Sequence, residues 1–185
     1  MVKRLFRYTC LACIIFLFGC SDNSLSDYDN DDIVAIVRGE EITVGDLRFL
    51  YPDDKALENL PGTVKAKLAE QEVKRMNLDI SHELQEIQDT KKVMGNYPPE
   101  EDDSEIANGT REFADAQSAK FGMTPEEYYE KYFEKSQEMS IYVIAFIEEI
   151  LGEPDGSGEE YTKKANALLD DLVDDNEDEI RILIK

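Results

Sequence analysis

The sequence predicts a mostly α-helical domain with a small β-sheet formed by the N-terminal strand or strands and the C-terminal strand. Three observations support this prediction. The segment 124–127 (TPEE) is a capping box with proline at the first helical position, and nothing interrupts the helix that it starts before Gly152. The β-branched run Ile33–Val37 is typical of a strand. The apolar run Ile180–Ile184 is typical of a second strand, and each of the two runs could supply the partner that the other needs.

The elements between these landmarks follow from local signals. A second brief strand, Ile42-Thr43, is expected after a glycine turn, and Thr43 can cap a short helix over 44–50 that Pro52 ends. A break is expected at 61–62 (PG), and Ser81 is expected to cap a later helix. The predicted helices then cover about 63–76, 81–94, 110–121, 124–151 and 161–173. Because the second half of the long helix is apolar almost all round, we expect it to be buried.

The first twenty residues have the features of a bacterial lipoprotein signal. Basic residues precede an apolar run from Tyr8 to Phe18, which is too short to span a bilayer as a stable helix. Leu17, Phe18, Gly19 and Cys20 resemble a lipobox, with an aliphatic residue and a small one before the cysteine. The resemblance implies removal of the signal peptide 1–19, acylation of Cys20 with fatty acids such as palmitate, and a lipid-anchored chain. The alternatives are an ordinary secretory signal or an uncleaved anchor.

The charge of the chain limits its partners. It has 42 Asp and Glu against 20 Lys and Arg, a formal charge of −22. Nucleic acid is not an expected partner, because phosphate binding needs a basic face. The same charge repels an anionic bilayer, so the lipid is expected to supply the membrane attachment. Solubility beside a membrane is the favoured reason for this charge, and attraction of basic polypeptides is the alternative.

The polar, acidic segment 20–32 is expected to be a flexible tether between the lipid and a single domain over 33–185. All three cysteines lie at or before Cys20, so no disulfide is expected in that domain. The domain must therefore be stabilised by its packed core.

Three segments together resemble the helical chaperone module of the SurA/PrsA family of extracytoplasmic folding factors. Residues 34–43 (VAIVRGEEIT) resemble the strand, turn and helix start that open the module. Residues 121–129 (FGMTPEEYY) resemble the start of its long helix, and 179–184 (EIRILI) resemble its closing strand. The resemblance covers 33–185 and implies a SurA N-terminal-domain-like fold. It also implies an activity of binding unfolded or secreted polypeptides, and it agrees with a lipid anchor, which PrsA-like proteins carry.

The sequence departs from the family where a parvulin prolyl-isomerase domain is often inserted. The interval between the long helix and the closing helix is only 152–158, and the single histidine, His82, lies far from it. The chain is therefore predicted to be the chaperone module without isomerase activity.

Catalysis and cofactor binding have no support in the sequence. His82 follows the expected cap and is interpreted as a solvent-exposed residue; no second histidine and no cysteine after Cys20 could complete a catalytic triad. The glycine-rich motifs that bind nucleotides are absent. Acidic segments that start at Asp27 and Asp174 fail the EF-hand pattern at positions 6 and 12. We predict no enzyme activity, no cofactor and no specific metal site, and loose divalent binding remains open.

An aromatic and methionine series on the long helix is the candidate client-binding surface. Tyrosine and methionine suit adaptable recognition, because they offer broad apolar contact with a polar or polarisable part. An aromatic stripe with helical spacing is also typical of a core, and both interpretations stay open. The series comprises Tyr128, Tyr129, Tyr132, Phe133, Met139 and Tyr142.

The sequence thus predicts a lipoprotein chaperone on the extracytoplasmic face of the cell membrane, in a Gram-positive bacterium. Its expected partners are unfolded or secreted proteins and the membrane, through the lipid anchor, with no nucleic acid and no nucleotide. The alternative is a dedicated membrane-side adaptor that binds one protein partner.

Overall fold

The computed structural model describes residues 25–94, 96–154 and 158–184. Within these ranges the chain forms six α-helices and a three-stranded antiparallel sheet, which confirms the predicted fold class. The strands are β1 (Ile33–Val37), β2 (Glu40–Thr43) and β3 (Ile180–Ile182). The helices are α1 (Val44–Leu50), α2 (Asp53–Met76), α3 (Ser81–Met94), α4 (Glu105–Phe121), α5 (Pro125–Leu151) and α6 (Gly158–Asp174).

A tight hairpin joins β1 to β2. Val37 pairs with Glu40 across the two-residue turn Arg38-Gly39, whose φ angles are 49° and 83°. Positive φ at both central positions is the geometry that matches the twist of a two-residue hairpin. Glycine adopts this geometry without steric cost. Arg38 is held in it by hydrogen bonds of its side chain to Glu72 and Asn176.

The last strand closes the fold on the first. β3 runs antiparallel to β1, with Ala35 opposite Ile182 and Val37 opposite Ile180. The predicted pairing of the two terminal strands is therefore confirmed. It buries Ala35 and Val37 completely and leaves Ile182 49% exposed.

Two capping boxes set the starts of α1 and α5; the one at Thr124 was predicted as a box, and Thr43 was predicted only as an N-cap. In α1, the Thr43 hydroxyl accepts the Asp46 amide over 3.1 Å, and the Asp46 carboxylate accepts the Thr43 amide over 3.0 Å. Thr124 and Glu127 form the same reciprocal pair at the start of α5. Each box satisfies two amides that a helix N-terminus would otherwise leave unpaired.

The predicted break at 61–62 is wrong. α2 begins at Asp53, rather than near Thr63, and continues through Pro61. Leu60 and Val64 on either side are 6% and 4% exposed, so the burial of this face outweighs the one helical hydrogen bond that proline cannot donate.

The caps of two later helices differ from the sequence prediction: α3 starts at the predicted residue with a different cap, and α4 starts earlier than predicted. The Asp79 carboxylate accepts hydrogen bonds from the amide and hydroxyl of Ser81, so Asp79 performs the capping expected of Ser81. α4 starts earlier than predicted, at Glu105, because the Ser104 hydroxyl accepts the Ala107 amide.

The segment expected to be a flexible tether is docked on the domain from Leu25 onward. Leu25 is fully buried, and its carbonyl oxygen accepts a hydrogen bond from the Arg48 guanidinium over 2.6 Å. Arg48 also donates to the Asn30 side-chain oxygen over 2.6 Å. The Asn30 carbonyl lies so close to α1 that a Cβ at Gly45 would be 2.9 Å from its oxygen, which explains glycine there. Buried contacts and hydrogen bonds thus correct the tether prediction for 25–32.

α2 is the central helix and borders two core clusters. One cluster lies between α2, α1 and the sheet, and the other between α2, α3, α5 and α6. The prediction that the second half of α5 is buried is wrong. Of its residues there, Phe146 and Ile147 are buried, whereas Ile144 and Ile150 are each 51% exposed. One side of α5 packs on α2 and the opposite side faces solvent. Some apolar side chains of its second half therefore lie outside the core.

Candidate functional site

The first half of α5 contributes to an aromatic cluster that joins three helices. Its members are Phe49 of α1, Phe113 and Phe121 of α4, and Tyr128 and Tyr132 of α5, with ring centroids of contacting pairs 5.1–6.3 Å apart. Tyr128 is fully buried, and its hydroxyl donates to the Phe49 carbonyl oxygen over 2.7 Å. Burial raises the pKa of the Tyr128 hydroxyl. For Tyr128 the core interpretation therefore holds, and its side chain is not accessible to a client.

The remaining aromatic residues of this half are half-buried. Tyr129 packs edge-on against Tyr97, with centroids 6.5 Å apart, and Phe133 lies on the same helix one turn further on. The Tyr97 hydroxyl donates to the Asp115 carboxylate over 2.8 Å. Partial burial and this carboxylate raise the pKa of Tyr97 to about 12. Tyr129 and Phe133 therefore keep part of their surface open to solvent.

Met139 and Tyr142 line a small cleft between α2, α5 and β2, which we call the polar cleft; its volume is about 270 Å³. Four acidic residues and two lysines line it. Lys135 contacts the Asp46 carboxylate over 2.9 Å, and Lys67 contacts Glu70 over 3.3 Å. The polar cleft therefore has an excess of two acidic groups.

The pKa of Asp46 reflects this pairing. Its partial burial alone would raise the pKa, but hydrogen bonds from the Lys135 ammonium and the Thr43 amide lower it below its ordinary value. The carboxylate is therefore stabilised in its charged form by groups of the protein itself.

A larger cleft of about 780 Å³ lies between the first half of α2 and β3, and we call it the apolar cleft. Aliphatic side chains line most of it, and acidic residues stand at its rim. The aliphatic residues are Leu57, Leu60, Val64, Val173, Ile180, Ile182 and Ile184, with Pro61, and the charged ones are Asp54, Glu58 and Lys65. Lys65 forms an ion pair with Asp170 of α6, which offsets its charge.

Sequence reasoning did not identify the apolar cleft. One signal was available, because Ile180, Ile182 and Ile184 alternate along the last strand and must share a face of the sheet. The opposite wall of the cleft was not predicted, because the break wrongly expected at Pro61 left Leu57 outside every predicted helix.

The single histidine lies outside these clefts. The His82 side chain is 82% exposed, 3.7 Å from the Glu86 carboxylate on the next turn of α3. Among residues 25–94, 96–154 and 158–184, no three potential ligands converge on one point where a metal ion could bind. No helix in the same ranges combines the length and apolarity needed to cross a bilayer. The lipobox at Leu17, Phe18, Gly19 and Cys20 lies outside the described residues.

No protein-family model, curated protein or solved structure matches this chain. The resemblance to the SurA/PrsA chaperone module thus stays a prediction from three sequence segments. The features of the chain that bear on function are the two clefts, the charge and the lipobox-like leader.

Proposed function

We propose that this protein is a membrane-anchored extracytoplasmic chaperone or folding factor that binds unfolded or secreted polypeptides without isomerase activity. The apolar cleft is the observation that carries the proposal. It is large enough for several aliphatic side chains, and soluble proteins seldom leave such surface open without a binding role. The mechanism needs no covalent step, because burial of a client's apolar side chains removes the surface through which clients aggregate.

The charge of the protein supports the same function. A formal charge of −22 keeps complexes with partly folded clients soluble and attracts basic chains. The acidic residues Asp54 and Glu58 at the rim of the apolar cleft would favour clients in which Lys or Arg flanks an apolar stretch. The lipobox-like segment that ends at Cys20 would hold this surface near the outer face of the membrane.

Suppression of aggregation tests the proposal. The full chain in lipid nanodiscs would be mixed with two unrelated proteins diluted from denaturant, one basic and one acidic, with empty nanodiscs as the blank. We expect light scattering from both clients to fall at near-stoichiometric ratios. Leu57→Glu, which puts a charge in the apolar cleft, should weaken suppression, whereas Ile144→Glu on the exposed side of α5 should not.

Absence of suppression at molar excess would overturn the general chaperone. If the chain then co-purified with one protein in fixed ratio, the adaptor alternative would replace it. Circular dichroism of both variants would establish that they remain folded.

A further inference from the structure

The outer edge of β3 has backbone groups that no described strand pairs with. The Glu179 carbonyl accepts from Arg38 and the Leu183 amide donates to Val34, so these groups point toward β1. Because backbone direction alternates along a strand, the amide and carbonyl of Ile182 point the opposite way, to the outer edge. Within the described part of the chain the sheet ends there, in the order β2-β1-β3.

The two edges of the sheet differ in how they are protected. β2 at the other edge carries Glu40 and Glu41, both exposed, and Glu40 is held by the ammonium of Lys67. Charged side chains of this kind deter edge-to-edge pairing. β3 carries one exposed charge, Arg181, on the face opposite Ile180 and Ile182. It presents Ile182, 49% exposed, and is followed by Leu183, 50% exposed.

The open edge and the apolar cleft adjoin each other. Ile180, Ile182 and Ile184 line the cleft from the β3 side. A strand added beside β3 would lie about 4.8 Å away and would direct every second side chain to the same face of the sheet. Those side chains would enter the space between β3 and α2. Backbone pairing and apolar burial can thus act on one ligand at once.

The charge around this edge indicates which ligand fits. Five exposed carboxylates precede β3 within six positions, and none forms an ion pair within the described part of the chain: Asp174, Asp175, Glu177, Asp178 and Glu179. With Asp54 and Glu58 they place negative charge on both sides of the cleft mouth. A second copy of the chain would bring another charge of −22 to the same place, which disfavours pairing between copies.

We propose that β3 binds one extended client segment as a fourth strand, with alternate apolar side chains in the apolar cleft and Lys or Arg against the acidic residues. This deepens the proposed function, on which it rests for the client as the source of the segment. Main-chain hydrogen bonds supply affinity that is independent of sequence, and alternation with basic residues supplies the preference. Such a mode suits unfolded chains, because a folded protein has already paired its strands.

A backbone-methylated peptide series tests strand addition directly. The parent is a fluorescent peptide of about eight residues, a usual strand length, in which valine alternates with lysine or threonine. One derivative is N-methylated at the valines and its matched control at the intervening residues, so the side-chain pattern is retained. In a strand only one alternate set of amides faces the neighbouring strand. Because the valine side chains must face the apolar cleft, the set whose methylation weakens binding shows whether the peptide runs parallel or antiparallel to β3.

We expect the full chain to bind the parent peptide with an affinity that falls as salt rises. Methylation of one set should weaken binding by about tenfold or more, and methylation of the other by about twofold or less, since only one set donates to β3. Equal loss from both sets, or no loss from either, would overturn strand addition. A peptide with glutamate in place of lysine should bind about tenfold more weakly, and equal binding would overturn the charge argument.

Two neighbouring substitutions locate the site. Ile182→Lys puts a charge into the apolar cleft at the open edge, whereas Leu183→Lys makes the same change on the opposite face at equal exposure. We expect the first to weaken peptide binding by about tenfold and the second by about twofold or less. Equal effects would overturn the assignment to β3, and thermal melting would verify that both variants are folded.

The outcomes separate this proposal from the function on which it rests. If the unsubstituted protein and its Ile182→Lys variant suppress aggregation equally well, the chaperone function is retained and the role of β3 is overturned. Peptide binding at β3 without suppression of aggregation would support strand addition and overturn the chaperone function. A dimer of the full chain that Ile182→Lys dissociates in the absence of peptide would show a second copy at the edge and would overturn a client segment as its occupant.

Discussion

The Arg38 guanidinium donates two hydrogen bonds to the Asn176 side-chain oxygen, of 2.9 and 2.6 Å, although 138 positions separate the two residues. A third bond of 2.6 Å joins Arg38 to the buried Glu72 carboxylate of α2, and the Asn176 amide group donates to the Leu172 carbonyl. The network fastens the β1–β2 turn to the end of α6. It therefore holds in place the segment from which β3, with its open edge, begins.

Asn176→Ala should lower the free energy of unfolding by about 2 kcal/mol, because it removes the oxygen that accepts two hydrogen bonds from the partly buried Arg38 guanidinium. Urea unfolding followed by circular dichroism measures the change. Asn166→Ala, at an exposed position of α6, is the matched control and should change it by about 0.5 kcal/mol or less. Equal losses in the two variants would show that the Arg38 network contributes nothing.

Glu72→Gln should destabilise the fold in a pH-dependent way. Hydrogen bonds from Arg75, and further ones from Arg38, lower the pKa of this carboxyl from its ordinary value of 4.5, against the opposing effect of burial. Since the folded pKa is below the unfolded one, the carboxylate contributes stability that is present above about pH 4.5 and is lost as pH falls through the folded pKa. The deficit of Glu72→Gln relative to the parent should therefore be largest near neutral pH and shrink below 4.5.

Urea unfolding of both chains between about pH 7 and pH 3 measures this deficit. Glu83→Gln, an exposed glutamate in the first turn of α3, serves as the control and should differ little from the parent throughout. A deficit of Glu72→Gln that stays constant across the range would contradict the linkage.

The parts of the fold that the sequence predicted are those that short local signals decide. The capping boxes at Thr43 and Thr124 each involve residues three positions apart, so a few side chains suffice to locate a helix start. The pairing of β1 with β3 could be predicted because few segments could form strands at all. Neither prediction required knowledge of the tertiary packing.

The failed predictions depended on contacts distant in sequence. Pro61 has a strong local tendency to end a helix, which burial of Leu60 and Val64 against the sheet overrides. Leu25 lies in a polar segment, and its burial is fixed by Arg48, 23 positions away. The apolar cleft was missed for the same reason, since its walls come from α2 and β3 at opposite ends of the domain.

Tyr128→Phe should cost about 1–2 kcal/mol of unfolding free energy, because the Phe49 carbonyl loses its 2.7 Å partner inside the aromatic cluster. Tyr129→Phe is the matched control on the next residue of α5, which is half-buried, and it should be nearly neutral. Thermal or urea unfolding distinguishes them. A neutral Tyr128→Phe would mean that the hydroxyl bond does not help to fix α5 on α1.

Cys20→Ser should release the chain from the membrane fraction of a bacterium that processes lipoproteins. The proposed attachment depends on acyl chains at this thiol, each buried CH₂ of which contributes about 0.8 kcal/mol. Cys13→Ser, in the apolar run of the same leader, leaves the lipobox-like segment intact and should remain in the membrane fraction. Mass spectrometry of the N-terminal peptide should find an acylated Cys20 in the parent and in Cys13→Ser. If Cys20→Ser stayed in the membrane with residues 1–19 still attached, an uncleaved anchor would replace the lipid as the means of attachment.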